Sequence, residues 1–393
     1  MADTYTVKNK KQGFFGKVGS SFASIPLGIV IIVFGCILLW NNEKKNVINI
    51  KDVKEMRENI VQLDSTTVDS ANEGKLVALS GKLDYGDQYL VDSTFGISVK
   101  TPILEREVEV YEWIEESETK DEQTTYTYKK EWSDKLVDSS DFKKSADHEN
   151  PTYLKYESEK YLADYLKIGG FDLSDNFKSK LSTDKNLLDL EPGVALPEGY
   201  AVNGKYITNS KDVENPEIGD IRISYVYGEY DTVSVLGKQT GSKIGSYTTK
   251  KNSSISKLES GEKTATELIN NIESGNKFSK WIMRILGAIL VCLGMSMVLS
   301  PLTTLIGYIP FLGKIVNGAI GVVSTTVGLA ISLITVAIAW LVYRPIIGIA
   351  LIVVSVGLII LAKKYVSKKD DGKKPETKEE AKEEKEEENK EEN

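Results

Sequence analysis

The chain has 393 residues, with 49 lysines and arginines against 57 aspartates and glutamates and a formal net charge of −8. On average that suits one large or two small soluble domains. The average, however, merges an apolar N-terminal segment and C-terminal third with a polar middle, so the chain reads as an integral membrane protein and not a cytosolic enzyme. The acidic excess sits in residues 41–277, which would repel phosphates and argues against a nucleic-acid partner.

Residues 1–20 form a basic N-terminus carrying Lys8, Lys10, Lys11 and Lys17, followed by an apolar run from Ile25 to Trp40. That run lies between a signal-peptide core and a full span. No small-x-small cleavage site follows it, and with residues 21–24 it reaches the roughly 20 residues a crossing helix needs. It is read as an uncleaved anchor, transmembrane helix 1, at 21–40. The two cysteines, Cys36 and Cys292, both lie in apolar segments and cannot staple the polar region, which is large enough to stand on its own core.

The polar region, 41–277, carries mostly strand signals. Residues 107–114 and 124–132 are aromatic and β-branched and predict a hairpin; 221–227 alternates cleanly, turns at 228–231 and returns through 232–236. Asn203-Gly204 predicts a tight turn between 200–202 and 205–208. A short helix is expected over 173–181, starting at Ser174, while 153–168 fits helix or strand equally. Thr264 and Glu267 have capping-box form ahead of an amphipathic helix that leads into the membrane. Nineteen tyrosines suit either a hydrogen-bonding interaction surface or ordinary half-buried sheet packing. Asn252-Ser253-Ser254 fits the glycosylation sequon.

From Trp281 the chain is apolar for about eighty residues and is divided by its breakers. Helix 2 is expected at 278–299, an interfacial or re-entrant segment at 300–318 containing Pro301, Gly307, Pro310, Gly313 and Lys314, helix 3 at 319–343 and helix 4 at 345–362. A charged tail, 363–393, reads as disordered: its basic start suits a stop-transfer signal or anionic headgroups, and its end is rich in glutamate and lysine. Four spans place both termini on one side, and the flanking lysines make that side cytoplasmic. Large domains translocate largely regardless of the lysines that flank the far side. The fold class is therefore a strand-rich α+β extracytoplasmic domain inserted between the first and second of four transmembrane helices.

Glycines recur seven residues apart in three spans: Gly28 and Gly35, Gly287 and Gly294, Gly321 and Gly328. Seven residues are close to two helical turns, so each pair lies on one face and admits close helix packing, unless it is only the glycine background of membrane helices. Trp340, Tyr343, Arg344 and Pro345 are read as a membrane anchor at the interface, in preference to a transport role for Arg344. Lys314 either snorkels or lines a path.

The search for chemistry finds no catalytic, cofactor-binding or metal-ligating set. The single histidine, His148, stands between Asp147 and Glu149, whose side chains diverge from it, so it is read as a loop residue and not a ligand. Gly307 to Ile315 mimics a phosphate loop but has the wrong spacing and Ile315 where a hydroxyl should bind magnesium. Carboxylates are missing from the spans, which counts against a cation channel.

Several local motifs occur in order along the chain: Asn42-Glu43; residues 108–113; Tyr126-Thr127-Tyr128; Glu131-Trp132; Asn150-Pro151; residues 175–178; residues 219–224; and 340–345. In these the chain resembles the LUMA family, transmembrane protein forty-three, also grouped as a domain of unknown function. The resemblance implies a non-enzymatic protein of the endoplasmic reticulum and inner nuclear membrane that self-associates and organises membrane-protein complexes, with its large domain luminal. The glutamate- and lysine-rich tail departs from the animal pattern and raises the cell membrane of a bacterium as the equivalent site. The resulting expectation is a multi-pass scaffold with no enzymatic activity, partnered by membrane lipids, further copies of itself and other membrane proteins. The alternative is a channel or transporter component that uses the broken segment 302–316.

Overall fold

A computed structural model describes residues 3–8, 14–64, 66–120, 123–184, 186–191, 195–307, 313–346 and 349. Helix α1, Phe14–Asn59, opens the chain after a short strand, Asp3–Lys8; a strand-rich region with one four-residue helix, α2 (Asp175–Lys178), follows; and α3 (Ala265–Gly307) and α4 (Gly313–Tyr343) close the described part. By contact density the chain divides into two units: residues up to Ser20 with Ile48–Ser279, and Ser21–Val47 with the chain from Lys280 onward.

The first unit holds two sheets. In the first, the strands run in the order Asp3–Lys8, Gln123–Ser133, Ile103–Lys120, Ile221–Tyr227, Tyr206–Thr208, Ala201–Asn203. The 107–114 and 124–132 segments do form the expected antiparallel hairpin, with Tyr111 opposite Trp132. It is longer than its apolar pattern, because cross-strand threonine pairs such as Thr119 with Thr124 carry it on as far as the pair Lys120 with Gln123. The turn at Asn203-Gly204 is present, with Gly204 at φ +60°. The core under this sheet is built from alternate residues, among them Leu104, Val108, Ile223 and Tyr225.

In the second sheet the pairings return on themselves: Leu76–Asp84 pairs with Thr232–Thr240, that with Lys243–Gly245, that with Phe171–Leu173, that with Leu166–Ile168, and that again with Leu76–Asp84. This closed ring of five strands surrounds a core of Leu79, Ile168, Phe171, Val233, Val235 and Ile244. Closure removes free edges within the ring. It also corrects the expected hairpin at 228–231, since 221–227 and 232–240 enter different sheets. Alternation reads the same in either sheet, and only the tertiary partners of Val233 and Val235 decide between them.

The expected helix over 173–181 shrinks to α2, because Leu173 is held as a strand residue between Leu166 and Ile244. The undecided segment 153–168 yields two short strands, Glu159–Leu162 and Leu166–Ile168. At the start of α3 the capping box forms, Glu267 accepting from the Thr264 backbone at 2.7 Å and Thr264 Oγ1 accepting from the Glu267 amide at 3.2 Å. The end of α1 is packed in this unit through Val53 and Met56 against Ala265, Leu268 and Ile269.

Three helices are long and apolar enough to cross a membrane among the described residues: Val18–Asn59, Ala265–Leu305 and Ile320–Tyr343. Unlike the division expected at Ser300-Pro301, α3 continues through Pro301 to Gly307. A proline inside a helix leaves the carbonyl four residues earlier without its donor. Here that carbonyl belongs to Met297, and the Ser24 hydroxyl of α1 donates to it at 2.9 Å. The segment expected to be interfacial is helical up to Gly307 and again from Gly313, with 308–312 outside the described residues. The expected fourth helix lies outside them too, apart from residues 345, 346 and 349, as does the charged tail.

Candidate functional site in the helical unit

In the second unit the glycines mark where backbones meet. A Cβ built on Gly28 would lie 2.7 Å from the Gly294 carbonyl oxygen, and one on Gly294 would lie 2.6 Å from the Gly28 carbonyl oxygen. Two helical turns further along, a Cβ on Gly35 would meet Val291 at 2.8 Å and the Gly287 carbonyl at 3.1 Å, and one on Gly287 would meet Leu39 at 2.7 Å. These four glycines form a single seam between α1 and α3. A Cβ on Gly328 of α4 would lie 2.8 Å from the Cys292 backbone of α3, whereas one on Gly321 would meet nothing within 4 Å among the described residues. The side chains that face outward from the same helices are apolar and half-exposed, among them Leu27, Val30, Phe34, Leu293, Val323 and Leu333.

The seam ends in a polar cluster. Glu43 is buried, and its carboxylate accepts from Arg284 Nε of α3 at 2.6 Å and from Trp340 Nε1 of α4 at 2.8 Å. One carboxylate thereby joins three helices at one level. Asn42 adds a bond to the Lys280 carbonyl at 3.1 Å. Arg284 also lies over the rings of Trp281 and Trp340, at 5.0 and 5.6 Å, and Arg344 over Trp340 at 5.8 Å. Tyr343 meets Trp40 edge-on at 5.5 Å. The anchor residues read from the sequence thus gather with Glu43 and Arg284, neither of which the sequence marks as a site. Pro345 is exposed, one buried guanidinium nitrogen of Arg344 has no acceptor among the described residues, and the side chain of Lys314 is outside the described residues.

The strand-rich unit offers other candidates. His148 lies in a loop as expected, closing the short turn Ser145–Asp147, and it is buried there: it stacks on Tyr128 with ring centroids 3.7 Å apart and meets Trp113 edge-on at 4.5 Å, which suits a core role. No group of three or more metal-ligating side chains occurs among the described residues. A cleft of about 700 Å³ opens where strand Glu159–Leu162 leaves Ile103–Lys120 and strand Gln123–Ser133 has not yet joined it. Two of the acids on its walls are paired, Glu105 with Lys160 and Glu109 with Arg222. Beneath lies a buried network in which Asp92 accepts from Arg106 and from the Tyr225 hydroxyl, while Arg106 also reaches Glu159.

Two buried carboxylates in this unit move in opposite directions. Burial pushes Asp92 up, but bonds from Tyr225 and Arg106 outweigh it and hold the carboxyl below its ordinary value. At Glu112 burial dominates, and the bonds from the Val137 amide and Ser133 do not compensate, so its pKa is raised. A raised folded value gives stability that is complete below the unfolded value and is lost as pH rises through the folded one. Glu112→Gln is therefore expected to raise the melting temperature of the detergent-solubilised chain at about pH 8, the gain vanishing towards about pH 4. Asp92→Asn is expected to do the reverse, costing stability at neutral pH and little at strongly acid pH.

The model of the family described as Transmembrane protein 43 matches residues 110–345. The chain belongs to that family. Among relatives, Transmembrane protein 43 of Pongo abelii is 28% identical over 390 residues, covering 92% of this chain and 95% of the relative. The human protein is 27% identical over the same length, with the same coverage. The Drosophila melanogaster homolog is 30% identical over 345 residues, covering 83% of this chain and 90% of the relative. No solved structure matches. The transmembrane protein 43 match takes in Arg284, Trp340 and Arg344, and the longer alignments span 92% of the chain. A membrane protein with several apolar helices is thus established from both composition and kinship.

Proposed function

We propose that this transmembrane protein 43 relative is a non-enzymatic membrane scaffold: it self-associates and organises other membrane proteins through the strand-rich domain. In this reading four helices cross the bilayer at 21–40, 278–299, 319–343 and 345–362. The domain, 41–277, is inserted between the first and second and faces away from the cytoplasm, and both termini are cytoplasmic. The membrane is that of the endoplasmic reticulum and inner nucleus in a eukaryotic host, or the cell membrane in a bacterial one.

One observation carries the reading. Among the described residues of the helical unit, Gly28, Gly35, Gly287 and Gly294 bring helix backbones together and Glu43 sits between Arg284 and Trp340, an arrangement that suits joining helices. A bundle joined in this way, with apolar side chains outside, suits a membrane platform. Under the same reading the glycine faces, Trp340, Tyr343, Arg344 and Pro345 act in packing and depth-setting, and lipids are the immediate partners. The test is the mass of the full chain extracted in native nanodiscs. A defined oligomer, alone or with further membrane proteins, is the expected result; a strict monomer with no crosslinked partner overturns the proposal.

A further inference from the structure

The turn at residues 249–253 joins the short strands Tyr247–Thr248 and Ser254–Ile255, and much of its backbone is satisfied from within. Thr249 supplies most of the partners. Its carbonyl accepts from the Asn252 amide at 2.9 Å, its hydroxyl from the Lys251 and Ser253 amides at 3.3 and 3.1 Å, and its own amide donates to the Ser253 carbonyl at 3.0 Å. Two carboxylates of α1 hold the turn as well. Glu55 accepts from the Lys250 amide at 3.0 Å and from the Tyr247 hydroxyl at 2.9 Å, and Asp52 accepts from the Ser253 hydroxyl at 2.5 Å. Asn252 takes the left-handed backbone conformation, φ +61°, which asparagine tolerates better than most residues.

All of these bonds leave the Asn252 side chain unused. Asn252 and Ser254 are exposed, and neither side chain makes a hydrogen bond among the described residues. Asn252-Ser253-Ser254 is also the one Asn-x-Ser/Thr triplet in the sequence without a central proline. The other triplet of that spacing, Asn150-Pro151-Thr152, carries an asparagine that the fold has committed. Asn150 Oδ1 accepts from the Trp113 amide at 2.7 Å, and Nδ2 donates to the Trp113 and Val137 carbonyls at 2.9 and 3.2 Å. A substituent on that nitrogen would take away a donor the fold uses, whereas one on Asn252 displaces no bond.

We propose that Asn252 is the acceptor of an N-linked oligosaccharide, with the Ser254 hydroxyl completing the recognised triplet. The proposal rests on the reading above, in which the domain faces away from the cytoplasm, and on its endoplasmic reticulum setting. In the transfer, carried out by a membrane oligosaccharyl transferase, Asn252 Nδ2 attacks the anomeric carbon of an oligosaccharide linked to a polyprenyl diphosphate. A C–N bond forms. The bond from that carbon to the diphosphate oxygen breaks, the electron pair leaves with the polyprenyl diphosphate, and Nδ2 gives up one proton. No oxidant or reductant is consumed. The attached glycan is bulky and solubilising, so the 249–254 turn stays in water and partners of the domain dock elsewhere on it.

The experiment is translation of the full chain into eukaryotic microsomes, with the products compared before and after an amidase that removes N-linked glycans. The wild type is expected to rise by one discrete step in mass that the amidase reverses. Asn252→Gln and Ser254→Ala are expected to abolish the step, and Ser254→Thr, which keeps the hydroxyl, to preserve it. An orientation control separates the site from the topology it needs. Lys205→Thr on the Asn252→Gln background puts a hydroxyl two residues after Asn203, which is exposed, and so creates an acceptor elsewhere in the domain. If the control is glycosylated and the wild type is not, the domain is luminal, that reading stands and the Asn252 site falls. If neither is modified, the domain does not face the lumen and both fall. A step that survives Asn252→Gln also overturns the assignment.

Discussion

Gly294→Ala is expected to destabilise the helical unit by about 1–3 kcal/mol, the usual cost of forcing atoms into a packed interior, while Gly321→Ala leaves it unchanged or slightly more stable. The two glycines are equivalent in the sequence, each one member of a pair seven residues apart. They differ in what a methyl group would meet. At Gly294 the Cβ falls 2.6 Å from the Gly28 carbonyl oxygen, 2.7 Å from Ile32 Cγ1 and 3.0 Å from the Ile32 amide nitrogen, and backbone atoms cannot rotate away as a side-chain end can. Relief requires that α1 and α3 move apart, which also opens the contact at Gly35. At Gly321 nothing among the described residues lies within 4 Å, so the substitution meets no clash there and gains the helix preference of alanine over glycine, roughly 0.5–1 kcal/mol. Gly28→Ala is expected to match Gly294→Ala, and the pair together to cost less than the sum, because either alone already breaks the same contact. Thermal unfolding of each variant in one detergent checks the order. Equal effects at Gly294 and Gly321 would show that the seam does not hold the helices.

The same comparison shows what the sequence could and could not reveal. A seven-residue glycine spacing identifies a face, and four of the six glycines do meet a neighbouring helix backbone or side chain in the α1–α3 seam, yet nothing local distinguishes Gly321 from Gly328. Partner identity is a tertiary fact. The long hairpin was legible because aromatic and β-branched residues alternate on both arms around a charged turn. Its outer strand was not, since Asp3–Lys8 is too short and too exposed to carry a burial pattern. The ring of five strands was hidden for another reason: three of its members are only three residues long, and a period of two cannot be measured over so few positions. Glu43 was visible only as part of the motif Asn42-Glu43. Its signal is that a carboxylate beyond the apolar run is matched by Arg284 near the start of the next one, and opposite charges at equal depth on neighbouring helices are a pairing that sequence suggests without fixing. Pro301 misled for a reason that is equally physical, because the donor that lets the helix continue, Ser24, lies on another helix.

Glu43→Gln is expected to have the largest effect of any single polar substitution in the helical unit, a loss of about 3–5 kcal/mol, the range for removing one partner of a buried ion pair. The exchange is nearly isosteric, so packing is kept and the loss reports charge. Arg284, which is mostly buried and whose Nε sits 2.6 Å from the carboxylate, would be left as a cation without its counter-ion. Arg344, close enough to act on the same carboxylate through space, would add a second positive charge to that unbalanced region. Trp340→Phe removes only one charge-assisted hydrogen bond and is expected to cost about 1.5–3 kcal/mol. Replacing both members, Glu43→Gln with Arg284→Met, removes the stranded cation along with the carboxylate, so the double variant is expected to be more stable than Glu43→Gln alone, a rescue that a purely steric role for Glu43 would not produce. The four variants measured as a double-mutant cycle, by unfolding in one detergent at one pH, isolate the coupling between the two side chains. A coupling near zero would mean that α1 and α3 are held by their glycine backbones alone and that the buried pair serves another purpose; a coupling of about 1 kcal/mol or more would make Glu43 the point at which three helices are fixed at a common depth.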